Sequence, residues 1–217
     1  NGMKSIDGMP SVLSGIPMFI EPFFLTPSSL NTVSSIGGEL GKKGYYTAFF
    51  HGADNGSMGF EAFARTAGYT HYFGRTEYNE ANPDNKDFDG HWGIWDEKFF
   101  QFFGNTLSGF QQPFAAALFS LSSHHPFAVP AEYEGVFPKG NKPIRQCIGY
   151  TDNALKLFFE KVSKEPWYKN TLFVFTADHT NSPERPEYET ESGLFSVPVV
   201  FYQPGSDLKG FRKDVRS

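Results

Sequence analysis

Apolar residues in this chain come in short unbroken runs that stop at polar, chemistry-bearing side chains. The run LFVF at 172–175, inside TLFVFTADHT, stops at Asp178-His179. It is β-branched or aromatic and does not alternate, which predicts a strand buried on both faces. Such strands belong to parallel α/β sheets, where ligands bind off the carboxyl ends. YYTAFF at 45–50 is a second run and ends at His51-Gly52. FAAALFSLS at 114–122 is a third and ends in Ser123-His124-His125-Pro126. Pro126 prevents that strand from continuing centrally. VPVVF at 197–201 predicts a further strand near an edge, and 69–73 an edge strand.

Helical spacing separates the runs. Ile6, Met9, Leu13 and Ile16 recur at three and four, and Pro10 fits only a first turn, so a helix starts near 5–9. A second helix, capped by Ser28 or Asn31, is expected to run to Lys43 and end at Gly44. Short helices are predicted at 60–66 and 97–103, and a long amphipathic one at 144–162. Cys147 lies within the long helix and reads as core packing. The polar stretch 76–90 reads as a surface excursion of the kind that is often functional. Helix, glycine, then strand is the return limb of a βαβ unit. The fold class is therefore α/β, a mostly parallel central sheet flanked by helices. No repeat or low-complexity tract marks a second domain, so 1–217 reads as one.

The 217 residues suffice for a sizeable core. The net charge of -5 comes from mixed acidic and basic residues without a basic stripe, which excludes nucleic acid as a partner. Phe alone supplies 25 residues, enough for an aromatic core or an apolar cleft. A single cysteine excludes an intrachain disulfide and a cysteine-based zinc site. No run reaches the ~18 apolar residues of a spanning helix. The chain starts without Met and reads as an excised domain, truncated at both ends.

Three runs ending in His51, His124 and Asp178-His179 would deliver those groups to one rim of a parallel sheet. Asp178 and His179 pair a hard oxygen with a borderline nitrogen, the donor types of a divalent metal site. The plain alternative is an N-cap Asp beside a bystander His. Ser5 falls at or just before a helix N-terminus, where unpaired N–H groups favour an anion such as phosphate. Its plain alternative is an ordinary N-cap. Ser5 is a candidate nucleophile, given a metal or base to activate it. His51 and His124 are candidate donors to phosphoryl oxygens or to a leaving group. Trp92 and Trp95 either line a cleft or pack a helix onto the sheet.

The ordered set GMKSIDGMPSVLSG, KKGYYTAFFHG, SSHHPF, FTADHT and SVPVVFYQPG resembles the extracellular catalytic domain of the lipoteichoic acid synthase family. These are sulfatase-like phosphoglycerol transferases of the alkaline phosphatase superfamily. The resemblance covers nearly the whole chain. It implies metal-dependent transfer of a phosphoglycerol-type group from a phospholipid donor to a hydroxyl acceptor, through a covalent Ser5 phospho-enzyme. It assigns Ser5 as nucleophile and metal ligand, Asp178 and His179 as metal ligands, and His51 and His124 as head-group contacts. The implied cofactor is a divalent metal, Mn2+ foremost, with Mg2+ or Zn2+ as alternatives. The implied location is the extracytoplasmic face of the cell membrane, reached through segments outside this chain. The family's first ligand, a Glu upstream of the nucleophile, is expected to precede Asn1, leaving this fragment's metal site incomplete and the fragment inactive. Met58 and Phe60 stand where the family carries Trp and Arg, so the head-group pocket differs. Ser5-Ile6-Asp7-Gly8-Met9 does not match the C/S-x-P-x-R motif of formylglycine sulfatases, which argues against sulfate ester hydrolysis. The alternatives are a phosphodiesterase or hydrolase with water as acceptor, and a catalytically silent binding domain on the same fold.

Overall fold

Strand β1 (Tyr46–His51) lies between β2 (His71–Phe73) and β3 (Phe114–Phe119), parallel to both. The structure is a computed structural model that describes residues 3–18 and 20–212. Side chains alternate across β1, so neighbouring residues enter different cores. Phe49 packs with Met9 of α1 (Ser5–Ser14) and with Phe60 and Phe63 of α3 (Phe60–Thr66). Phe50 points the other way, stacking on Phe73 at 4.6 Å and meeting Phe103 of α5 (Asp96–Ser108) edge-on at 4.7 Å. Helices therefore cover both faces, as the unalternating apolar run requires. The fold class is the expected one, α/β with a parallel central sheet.

Helix α6 (Ile144–Val162) has the predicted bounds. Its buried residues Cys147, Tyr150, Ala154, Phe158 and Val162 recur at three and four, making one apolar stripe. That stripe seats on α5 through Phe100 and Leu107 and continues to Trp167. Cys147 is core, as expected; burial pushes its thiol up to about 11.

Four expectations need correction. β4 (Phe173–Thr176) is not in the parallel sheet: it pairs antiparallel with β5 (Val199–Tyr202), and its residues alternate between half-buried and exposed. Phe173 and Phe175 turn onto Phe159 of α6, at 5.1 and 5.9 Å, while Val174 faces out. An apolar run states what a strand can bury, not what is there to cover it. The second helix, α2 (Ile36–Gly41), starts later than expected. Its cap is Ser35, whose hydroxyl accepts the Gly38 N–H at 2.9 Å, and the residues before it make 3-10 turns at Phe23–Leu25 and Pro27–Leu30. The excursion begins with a helix, α4 (Arg75–Ala81), because the Glu77 carboxylate accepts the Gly74 N–H at its start, 2.6 Å away. α5 outruns the predicted 97–103 at both ends. No described helix is long and apolar enough to cross a membrane.

Phe50 is fully buried in the middle strand, so Phe50→Ala is expected to cost about 3–5 kcal/mol in urea unfolding. A loss below about 1 kcal/mol would mean that the sheet is not organised around it.

Candidate functional site

Ser5 is half-buried in the first turn of α1, and the N-cap position belongs to Lys4, not to Ser5. The Lys4 carbonyl accepts the N–H groups of Asp7 and Gly8, at 2.9 and 3.1 Å. The N–H groups of Ser5 and Ile6 have no intrahelical acceptor, and the positive end of the helix dipole lies at the same place. The Ser5 hydroxyl is thus held at an anion-favouring helix end and is not occupied in capping it.

The turn sits directly on the Asp-His pair. A Cβ placed on Gly8 would lie 2.6 Å from Asp178 Cβ and 2.9 Å from the Asp178 carbonyl oxygen. Only a residue without a side chain allows α1 to come this close. The helix that carries Ser5 thus meets Asp178 through Gly8, and β4, which precedes the Asp-His pair, is not a neighbouring strand of the parallel sheet as the sequence suggested.

The pair stands close enough to share a proton or an ion. His179 Nε2 and Asp178 Oδ2 are 3.3 Å apart. Two donors at roughly 2.1 Å from a shared metal are separated by about 3.0–3.4 Å. His179 Nδ1 lies 3.0 Å from the Thr180 carbonyl oxygen, so Nδ1–H donates there. Nε2 then faces the Asp178 carboxylate oxygen, where a proton or a cation is needed to join the two. A backbone partner on the second ring nitrogen is the usual support of a metal-bound His.

Asp7 adds a second demand for positive charge. It is buried beside this pair, and neither carboxylate oxygen has a hydrogen-bond partner among the described residues. Burial raises its pKa, opposed in part by the nearby Lys4 and Met3 backbone and by the charge of His179. Carboxylate, imidazole and hydroxyl groups thus fit a divalent cation in donor type. No three His, Cys, Asp or Glu side chains among the described residues could enclose one by themselves.

His51 ends β1, and His124 lies beyond the end of β3. His51 stands opposite Phe119 of β3 and is fully buried. Phe60 and Phe119 close over its ring, at 4.9 and 5.4 Å. Desolvation lowers its pKa to about 4, so it is neutral at ordinary pH. Its Nδ1 lies 3.3 Å from the Phe119 carbonyl oxygen, and Nε2 is buried without a partner among the described residues. The neutral ring therefore offers an acceptor, not the donor expected for phosphoryl oxygens. His124 is exposed beyond β3, its ring 4.3 Å from that of Trp92. Trp92 and Trp95 both line a small pocket with His124, and Trp95 also packs edge-on against Tyr150 of α6 at 6.0 Å. Trp92 follows the cleft reading; Trp95 combines it with packing, onto a helix instead of the sheet.

The stretch 89–96 ties the two histidine-bearing ends together. Ile94 N–H donates to the Gly52 carbonyl at 2.9 Å, and Asp96 accepts the N–H groups of Leu121 and Ser122, at 2.8 and 3.1 Å. Sequence reasoning missed Asp7 and Asp96. Asp7 gave one signal, a carboxylate two residues after the candidate nucleophile. Asp96 gave none beyond its place at a helix start.

A family model described as Sulfatase matches residues 2–216. Lipoteichoic acid synthase 2 of Bacillus subtilis is 28% identical over 157 residues, covering 69% of this chain and 23% of that protein. Phosphoglycerol transferase I of Escherichia coli is 27% identical over 191 residues, covering 81% of this chain and 24% of that protein. The chain thus spans about a quarter of the length of these curated relatives. Among solved structures, a lipoteichoic acid synthase from Listeria monocytogenes superposes with a TM-score of 0.78 at 21% identity, over 95% of this chain and 55% of that one.

His51 and Asp96 give opposite pH dependences. The depressed His51 pKa contributes stability that is present above about 6.5 and lost as pH falls toward 4. Burial pushes Asp96 up to about 6, so its contribution is present below the usual carboxylate range and lost as pH rises through 6. His51→Asn removes the first alone. The variant is expected to lose about 2 kcal/mol less than the parent protein between pH 7 and 5. Parallel stability curves from denaturant titrations across that range would refute the neutral, desolvated His51.

Proposed function

This chain belongs to the sulfatase family, and from that premise we propose that it is catalytic-domain sequence of a metal-dependent phosphoglycerol transferase. It moves a phosphoglycerol-type group from a phospholipid donor to a hydroxyl acceptor during construction or modification of a cell-envelope polymer or glycan. Relatives named as lipoteichoic acid synthase and phosphoglycerol transferase support a transferase at family level. The observation that carries the reading to residues is the seating of the Ser5 turn against Asp178 through Gly8.

Ser5, Asp178 and His179 would hold the divalent cation, Mn2+ foremost, with Mg2+ or Zn2+ as alternatives. Bound there, the cation lowers the pKa of a coordinated hydroxyl and polarises a phosphoryl oxygen. Ser5 Oγ forms a bond to phosphorus as the bond to the lipid alcohol breaks, and the serine proton passes to the leaving alkoxide. The acceptor hydroxyl then bonds to phosphorus, Ser5 Oγ leaves, and the acceptor's proton returns to it. The N–H groups at the start of α1, which have no intrahelical acceptor, hold the anionic phosphoryl group while this happens.

His124, exposed beside Trp92, contacts the head group as a hydrogen-bond donor. His51 reaches a head group only when Phe60 swings aside, and its free Nε2 then accepts from a hydroxyl. The work is done at the extracytoplasmic face of the cell membrane, with the membrane engaged by segments outside this chain.

The test uses the intact ectodomain with Mn2+ and a fluorescent phosphatidylglycerol. Ser5→Ala is expected to cut diacylglycerol release at least about 100-fold. Asp178→Ala is expected to weaken Mn2+ binding at least about tenfold in titration calorimetry. Release that persists in Ser5→Ala removes Ser5 as nucleophile, and unchanged Mn2+ affinity removes the metal assignment.

A further inference from the structure

Asp96 opens α5, yet its carboxylate does not serve that helix. It turns to the loop after β3, where Oδ1 accepts the Leu121 N–H at 2.8 Å and Oδ2 accepts the Ser122 N–H at 3.1 Å. The Thr151 hydroxyl of α6 donates to Oδ2 at 3.2 Å. In return the Ser122 hydroxyl accepts the Asp96 N–H at 3.0 Å. The side chain is only 2% exposed, so each of these partners offsets part of a large desolvation cost. A carboxylate this deep holds its shape only while the backbone on both sides holds too.

The loop it grips is the one that presents His124. The Leu121 carbonyl accepts the His124 N–H at 3.1 Å, so the residue fixed by Asp96 starts the turn that aims the imidazole. Trp92 closes the arrangement from the outside, its indole N–H donating to the His125 carbonyl and its ring lying against His124. Trp92 is itself fixed, because Asp89 Oδ1 accepts the N–H groups of His91, Trp92 and Gly93 at 2.8, 2.8 and 3.0 Å.

We propose that Asp96 is the positioning residue for His124, setting through Leu121 and Ser122 where the imidazole stands against Trp92 and hence how tightly the phosphoglycerol head group is held. Asp96 touches no substrate; it acts through His124. This rests on the reading of His124 as a head-group contact, and the experiment separates the two. The probe is glycerol phosphate, titrated by calorimetry into the intact Mn2+-loaded ectodomain carrying Ser5→Ala, so that no turnover intervenes. Asp96→Asn and His124→Ala are expected to weaken binding about tenfold each, and the combined variant no more than about twofold beyond either alone. Thr151→Val removes a single donor to the carboxylate and keeps the fold if Asp96→Asn does not. It is expected to weaken binding about twofold to threefold, and to have no effect once His124 is Ala.

Losses that multiply in the combined variants would overturn the proposal, since Asp96 would then act on the fold at large. Unchanged binding in Asp96→Asn and Thr151→Val, with binding lost in His124→Ala, would overturn it as well while leaving the reading of His124 intact. Unchanged binding in His124→Ala would end both.

Discussion

The functional side of this molecule depends on how closely α1 approaches the loop after β4. Gly8 lies against the Cβ and backbone of Asp178, with no room for a Cβ of its own between them. Everything chemical at that end follows from it. It places the Ser5 turn beside a carboxylate-imidazole pair and buries Asp7 close to His179. It also gathers groups whose charges and lone pairs conflict unless a proton or cation joins them. Helix propensity alone favours alanine over glycine in such a turn by about 1 kcal/mol, so the glycine is held there by the contact, against local preference.

The histidine end is built differently. β1 and β3 run parallel in register, His51 opposite Phe119, but strand pairing stops before His124. Beyond that point order comes from the stretch 89–96. Its Ile94 bonds back to Gly52, Asp89 fixes the turn that carries Trp92, and Asp96 holds the start of the His124 loop. Gly93 lies so close to the Gly52 carbonyl and Leu121 that a side chain there would collide with both. Carboxylates accepting several backbone N–H groups, Asp96 buried and Asp89 half-buried, thus do at this rim what ladder hydrogen bonds do inside the sheet.

Much of this was legible in the sequence, for identifiable reasons. β1, β3 and α6 follow from apolar runs and from one stripe at three-and-four spacing, which are local properties. α1 opens at Ser5, within the expected 5–9, but the first-turn reading of Pro10 needs correction: it is the sixth residue of the helix, which tolerates there the loss of one backbone N–H donor. The motifs around Ser5, His51, His124 and Asp178-His179 carried the family. β4 was misread because LFVF looks the same whether one face or two are covered; here Phe159 of α6 covers one, and Val174, Val200 and Phe201 stay exposed. α4 was missed because its start depends on Glu77 reaching back to Gly74, a contact hidden in a polar stretch. His51 was expected to donate, and only the Phe60–Phe119 cover and the Phe119 carbonyl give it a neutral ring with a free acceptor. Asp7 and Asp96 gain their meaning from long-range neighbours that no spacing rule could supply.

The seating of α1 on Asp178 is tested most directly by Gly8→Ala and the Mn2+ affinity of the intact ectodomain, read by electron paramagnetic resonance. The added methyl group must push the Ser5 turn off Asp178, so affinity is predicted to fall at least about tenfold, even though alanine favours the helix by about 1 kcal/mol. A Gly8→Ala protein that binds Mn2+ as tightly as its parent would contradict the account, because the Ser5 turn and the Asp-His pair would then not depend on that contact.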